Sequence, residues 1–271
     1  MRIISLLIVV PTLNSFALLP RLLASLQEQS WPHWRLLFID GPSSHEHRNW
    51  LNLCCLGEPR CQWQPQDSTQ PGIFGAMTQG FAAAAPDDWL LFWGSDDWAA
   101  SSTVLEDLIV ALQITVANGD FPDFVVCGGR YVDDARGILG RFTTFHQTAM
   151  LRGFTYRRAL FLGSIPPHQA TLFGPGVRSR LNRYTPGFRL SADLDYFLEI
   201  SCHTDLQVQC LDLELVHISN YGISSQQTQR RLQEVHRAYR RAFGAVWWFP
   251  FLARYIRRMF SLLHRRSKGV S

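Results

Sequence analysis

The chain has 271 residues, 46% of them hydrophobic and 18% charged, which supplies a sizeable core and excludes a disordered chain. Its net charge of +4 is uneven: residues 235–271 hold nine Arg or Lys and no Asp or Glu, which leaves residues 1–234 at −5. A nucleic-acid binder carries its positive charge across the binding domain itself, so nucleic acid is excluded as a partner.

The opening apolar run, Ile3–Val10, is too short to span a bilayer. It runs into Pro11-Thr12-Leu13-Asn14 rather than a small-residue cleavage site, so it predicts a first strand. Leu18, Leu19, Leu22, Leu23 and Leu26 then recur at helical spacing, with Pro20 tolerated only in the first turn. A second strand, Arg35–Ile39, ends at Asp40-Gly41. A short helix is expected over 45–53 and a brief strand over Gln62–Gln64. Next come an Ala-rich helix (Ile73–Ala85), a strand (Trp89–Trp93), a helix (Thr103–Val116) capped by Ser101 or Ser102, and a strand (Phe124–Cys127). The second half is more mixed, with a helix near 192–203 and short strands near 206–218. The alternation predicts an α/β fold with a mixed, mainly parallel central sheet. The six cysteines lack CxxC or zinc-site spacing and read as reduced thiols of a cytosolic protein.

Ligands of open α/β sheets bind beyond the carboxyl ends of the strands. Polar clusters fall at three such ends: Thr12-Leu13-Asn14, Asp40-Gly41 and Asp96-Asp97. Each alone fits an ordinary turn; three together predict one shared site. Adjacent carboxylates repel each other and resist desolvation, and a hard divalent cation, Mn2+ or Mg2+, relieves both. Neither GxxxxGK[ST] nor GxGxxG follows the first strand, so metal-held diphosphate points to a sugar nucleotide.

Seven segments in order carry a resemblance: "VVPTLNS", "LLFIDGPSS", "QPGIFGAMTQGFAAA", "LLFWGSDDW", "PPHQATLF", "RLSADLDYFLEI" and "NYGISS". From residue 3 to about 225 the chain resembles a family 2 glycosyltransferase of the GT-A fold, of the bacterial polysaccharide-assembly (colanic acid and capsule) type. "LLFWGSDDW" is similar to that family's DXD metal motif. The resemblance implies a single catalytic domain over 1–225 and a hexosyltransferase-like, inverting, metal-dependent enzyme. Its donor would be a UDP- or GDP-sugar, and its acceptor a growing polysaccharide or lipid-linked glycan. Thr12, Asn14, Asp40, Gly41, Gly72 and Asp96 would bind donor, with Asp40 facing base or ribose and Asp97 on the metal. Asp193 would be the catalytic base; His168, Gln169 and Asp195 would lie near acceptor or diphosphate. By itself "ADLDYF" also fits a helix N-terminus where acids suit the dipole, and His168 a turn histidine. Gly75 stands where the family has Asp, Pro71 where it has Lys, Thr78-Gln79 where it has Asn-Lys, and Pro42 where it has Gly. These departures put donor choice in doubt and keep open a catalytically impaired binding relative. A sugar nucleotidyltransferase would need a Gly-rich basic loop after the first strand, which "VVPTLNSF" lacks.

Residues 226–271 form a basic helical tail. A helix from Pro250 gathers Phe251, Leu252, Tyr255, Ile256, Met259, Phe260, Leu262 and Leu263 on one face, and Arg254, Arg257, Arg258, Ser261 and Arg265 on the other. That pattern predicts either peripheral contact with an anionic membrane, at the cytoplasmic face of the plasma membrane, or packing on the catalytic domain.

Overall fold

The computed structural model describes residues 4–133, 137–141, 145, 148–219 and 228–256. Its ten-stranded sheet runs β3-β2-β1-β4-β9-β6-β10-β5, with β7 on β6 and β8 on β10. The first half, β3 (Cys61–Pro65), β2 (Trp34–Asp40), β1 (Leu6–Thr12) and β4 (Trp89–Phe92), is parallel. The second half mixes directions. β9 (Thr171–Phe173) is antiparallel to both β4 and β6 (Phe124–Asp133), whereas β10 (Gln207–Ser219) is parallel to β6.

Parallel strands covered on both faces are apolar throughout, and β1 shows why. Leu7 and Val9 enter one core; Leu6, Ile8 and Val10 enter the other. Each such side chain contributes about 1.5–3 kcal/mol on burial. Helix α1 (Leu19–Gln27) buries Leu19, Leu22 and Leu26, with Pro20 in its first turn. Helix α2 (His45–Gly57) is capped by Ser44 and α3 (Ile73–Ala83) follows Gly72.

Several elements differ from expectation. α4 (Val104–Ala117) takes its cap from a distant residue rather than Ser101 or Ser102: Gln29 Oε1 accepts from Leu105 N at 3.1 Å while its Nε2 donates to Ser101 O at 2.6 Å. Asp97 begins a three-residue strand, β5 (Asp97–Ala99), antiparallel to β10. The expected short strands near 206–218 are one 13-residue strand whose register shifts between Cys210 and Val216. Strands β7 (Gly137–Arg141) and β8 (Ala149–Arg152) and helix α5 (Gly153–Phe161) had no clear periodic signature, and α6 (Pro175–Arg180) is a single short helix.

Helix α7 (Ala192–Ile200) is buried along most of its length. Helix α8 (Thr228–Phe243) packs beside it and contributes Val235, Ala238 and Tyr239 to the same core. A last helix, residues 248–256, presses against α5: a Cβ on Gly163 would stand 2.6 Å from Arg254 N, and Phe249 stacks on Phe161 at 5.0 Å. Its apolar residues divide between two faces. Phe251 turns inward to Tyr239 and Trp247, whereas Trp248, Phe249, Leu252 and Ile256 are exposed. Met259 to Leu263 and the arginines at 257, 258 and 265 lie outside the described residues, as does the "NYGISS" segment. Among the described residues no helix is long and apolar enough to cross a membrane. The cysteines are free thiols, with Cys61, Cys127 and Cys210 buried.

Candidate active site

The parallel ladder sets Thr12 beside Asp40, so the carboxyl ends of β1 and β2 open at one level. Asp40 is 1% exposed. Its Oδ1 accepts from Thr12 Oγ1 at 3.1 Å and Ser43 Oγ at 2.6 Å, and its Oδ2 accepts from Arg48 Nε at 3.2 Å. His47 Nε2 lies 3.1 Å from Oδ1 without hydrogen-bond geometry, and burial lowers that imidazole's pKa and keeps it neutral. The Asp40 carboxylate is thus a hub that joins β1, β2 and α2. Thr12 serves the same hub. Asn14 stands on the rim with φ +49°, its Oδ1 accepting from Ser44 N at 2.7 Å and its amide donating to Ser43 Oγ at 2.9 Å. Gly41 N donates to Thr12 O, which draws the two loops together.

β4 lies on the other side of β1, and its outgoing turn is tied back by Ser95 Oγ, 3.3 Å from Pro11 O and 2.8 Å from Ser15 Oγ. Asp97 is enclosed. Its Oδ2 accepts from Gly94 N at 2.5 Å, and its Oδ1 has no partner among the described residues. Burial, with the neighbouring charge of Asp96, pushes its carboxyl up to about 8. Asp96 is half-buried, and burial raises its carboxyl as well. A Cβ on Gly94 would stand 2.9 Å from Asp96 Oδ1 and 3.3 Å from Asp97 Oδ2, so glycine leaves room for both carboxylates to converge. An orphaned oxygen beside a second, more open carboxylate is the environment that a hard cation satisfies. Among the described residues no group of three or more His, Cys, Asp and Glu side chains is arranged to hold a metal, so other ligands would complete its shell.

The turn at His168–Ala170 is fastened to β4. Trp93 Nε1 donates to Gln169 O at 3.0 Å, and the His168 ring stacks on Phe92 at 5.5 Å. His168 Nε2 lies 2.6 Å from Tyr184 Oη. Burial drives the imidazole down to about 4, against the opposing pull of nearby Asp193. His168 is thus a neutral, buried residue, and Asp193 is half-buried in the first turn of α7. Asp195, two residues on, is in a different state. Both its oxygens accept from Arg241 Nη1, at 2.6 and 2.5 Å, and it is buried. Burial still raises its carboxyl despite that partner. Asp193 is the more accessible of the pair.

Gly72, with φ +89°, permits the turn into α3. The position of Gly75 does not face open space. A Cβ there would lie 1.9 Å from Gln70 O, and Gln66 Nε2 pins the loop by donating to Gln70 O and Gly72 O, both at 2.7 Å. Thr78 Oγ1 accepts from Tyr184 N, and Gln79 bonds Asp67 N and Pro65 O. These departures thus serve the protein's own loop. Sequence reasoning missed Ser95, Tyr184, Arg241 and Glu234, all of which act through partners distant in the chain. Glu234 left one visible signal, as the lone acid in residues 226–271.

A family model described as "Glycosyl transferase family 2" matches residues 7–173. A PGL/p-HBAD biosynthesis glycosyltransferase of Mycobacterium bovis is 27% identical over 217 residues, covering 79% of this chain and 77% of that protein. An uncharacterized glycosyltransferase of Mycobacterium tuberculosis is 24% identical over 211 residues, covering 75% and 72%. Among solved structures, S. aureus TarS in complex with UDP-GlcNAc gives a TM-score of 0.68 at 14% identity, covering 87% of this chain and 64% of that one. The mannosyltransferase PcManGT from Pyrobaculum calidifontis, in complex with GDP-Man and Mn2+, gives 0.60 at 13%, covering 88% and 64%. At such identities the likeness to the solved structures is one of fold, and the chain spans about two thirds of their length.

Proposed function

Since this chain belongs to glycosyltransferase family 2, we propose that it takes a nucleoside-diphosphate sugar at the ends of β1, β2 and β4 and passes the sugar, with inversion, to an acceptor hydroxyl activated by Asp193. The observation that carries this reading is the fastening of the two halves. Trp93 and Phe92, just before the Asp96–Asp97 pair, hold the His168 turn, and the charge of Asp193 is near enough to act on the His168 ring. This supports a reading in which the donor-side and acceptor-side carboxylates serve one site.

Asp193 would accept the acceptor's proton as the new glycosidic bond forms, the step that makes a hydroxyl an adequate nucleophile. With Asp195 held by Arg241, Asp193 is the open carboxylate of the pair, which suits one displacement rather than a covalent intermediate. Neutral His168 shapes the wall without adding charge beside the base. Asp97 would hold the Mn2+ or Mg2+ ion through its unpartnered Oδ1, with the more open Asp96 beside it towards the donor ribose or sugar. Bound there, the cation would supply positive charge to the departing diphosphate. Asn14, Gly41 and Gly72 remain candidates for the donor rim.

The finer identity rests on weaker support. A UDP- or GDP-sugar donor is consistent with the nucleotide sugars in the TarS and PcManGT complexes. A polysaccharide or lipid-linked acceptor, and the colanic acid and capsule subgroup, follow from the ordered motifs. We place the enzyme peripherally on the cytoplasmic face of the plasma membrane, with residues 226–271 as its basic tail. What supports this is the exposed face of Trp248, Phe249, Leu252 and Ile256, next to five basic residues in 257–271. Incubation with UDP-GlcNAc, UDP-glucose and GDP-mannose, each with Mn2+ or Mg2+, tests the core of the proposal. Release of UDP or GDP that stops in EDTA is expected. Binding without release from any donor, with or without membrane extract, would favour the impaired binding relative.

A further inference from the structure

Helix α8 begins 55 residues after the family match ends, yet it reaches the proposed base through a buried carboxylate. Glu234 is 6% exposed. It accepts from three consecutive backbone amides: Arg189 N at 3.0 and 3.1 Å, Leu190 N at 2.7 Å and Ser191 N at 2.9 Å. Ser191 is the residue that opens α7, and Asp193 lies two residues further on. We infer that Glu234 is a positioning residue for the transfer: its carboxylate, carried by α8, binds the 189–191 amides and so fixes where Asp193 stands.

The physical case rests on orientation. Three successive N–H groups that converge on one point form a nest for an anion, and bonds from amides to a carboxylate are of the stronger, charge-assisted kind. Such a nest is usually met by a ligand or left to water; here the protein fills it with a side chain from another helix. The grip is doubled along one face of α8. Arg241, seven residues after Glu234 and so two turns away, holds Asp195 through both oxygens. One helix thus binds the chain just before Asp193 through a carboxylate and just after it through a guanidinium. Asp193 between them is half-buried. Arg230 approaches the same carboxylate, its Nε 3.2 Å from Oε1, from the solvent side.

A displacement of about 1 Å in a reacting group can cost on the order of a hundredfold in rate. Loss of the nest should therefore lower turnover while donor affinity, set at the ends of β1, β2 and β4, stays the same. This inference rests on Asp193 as the base. The test uses the full chain, Mn2+, and whichever of UDP-GlcNAc, UDP-glucose and GDP-mannose the wild type cleaves fastest, with release of the nucleoside diphosphate as the readout. Glu234→Ala is expected to lower kcat about a hundredfold and Glu234→Gln, which keeps an acceptor but loses the charge, about tenfold, as a 1 Å misplacement would. KM for the donor should stay within about twofold in both, the signature of an interaction that acts on the transition state. Should Glu234→Ala fail to fold, Glu234→Gln decides alone. In the double variant Asp193→Asn with Glu234→Gln, kcat should be no lower than in Asp193→Asn, because residues that act as a unit are not additive. A Glu234→Gln protein with wild-type kcat, or one whose KM rises as kcat falls, overturns the inference while Asp193→Asn remains inactive. If Asp193→Asn is itself active, the base assignment fails and the inference with it.

Discussion

Asp40 ends β2 and Asp97 follows β4, the two strands that flank β1, and both are almost wholly buried, yet their chemistry differs. Asp40 has bonds on both oxygens, from Thr12, Ser43 and Arg48. Asp97 has one oxygen bonded to Gly94, one without a partner among the described residues, and Asp96 alongside. Under the proposed function, unmet bonding capacity separates the ligand carboxylate from the structural one. A buried carboxylate with every bond made is a structural joint.

Substitutions on the two sides of this contrast should separate binding from stability. Asp97→Asn is expected to weaken Mn2+-dependent donor binding by at least about a hundredfold, read by calorimetry. Asp96→Ala, beside it, should weaken binding about 10–100-fold, the range for residues that support a metal ligand, with the melting temperature little changed. If Asp96→Ala proves the more damaging, the order of the two carboxylates is reversed. Asp40→Ala should do the opposite. It strands the Thr12, Ser43 and Arg48 donors and should cost about 3 kcal/mol in denaturant unfolding, at roughly 1–3 kcal/mol per orphaned buried group.

Two smaller effects test the walls of the cleft. His168 titrates near 4 in the fold against an ordinary 6.5, so the folded state binds fewer protons between those values. Its contribution is complete above pH 6.5 and is lost as pH falls towards 4, up to about 3 kcal/mol at about 1.36 kcal/mol per pH unit. His168→Asn should flatten the pH dependence of unfolding in that window; an unchanged slope would mean that the ring is not buried as described. Gly75→Ala should cost about 1–3 kcal/mol by overpacking against Gln70 O. Gly75→Asp should likewise lower the melting temperature rather than improve donor affinity. Smallest in its bearing on the chemistry, deletion of residues 257–271 should reduce sedimentation with phosphatidylglycerol vesicles at least about tenfold, at roughly 1 kcal/mol per basic residue near an anionic surface, and leave donor cleavage intact.

The parallel half of the fold was legible because its strands are continuous apolar runs that end in Asp, Asn and Gly. The Asp96–Asp97 pair was legible for the same reason. What the sequence hid depended on partners far along the chain. Asp97–Ala99 is too short to carry a period, and only pairing with β10 makes it a strand. Gln29 reads as an ordinary end of α1 until Leu105 folds against it. Asp193 and Asp195 share one turn and one residue type, and only Arg241, 46 residues after Asp195, distinguishes the open carboxylate from the sealed one. The bonds of Asp40 are a different case. Ser43 and Arg48 are near in sequence, but nothing in their identity announces that they satisfy Asp40 rather than leave it for a ligand.

The division of labour between the two carboxylate sites is tested most directly on Asp193→Asn, by measuring Mn2+-dependent donor affinity and nucleoside-diphosphate release on the same preparation. The expected result is a dissociation constant within about twofold of wild type with release reduced at least about a hundredfold, the scale of a lost general base. Release at the wild-type rate, or loss of donor binding together with release, would contradict it.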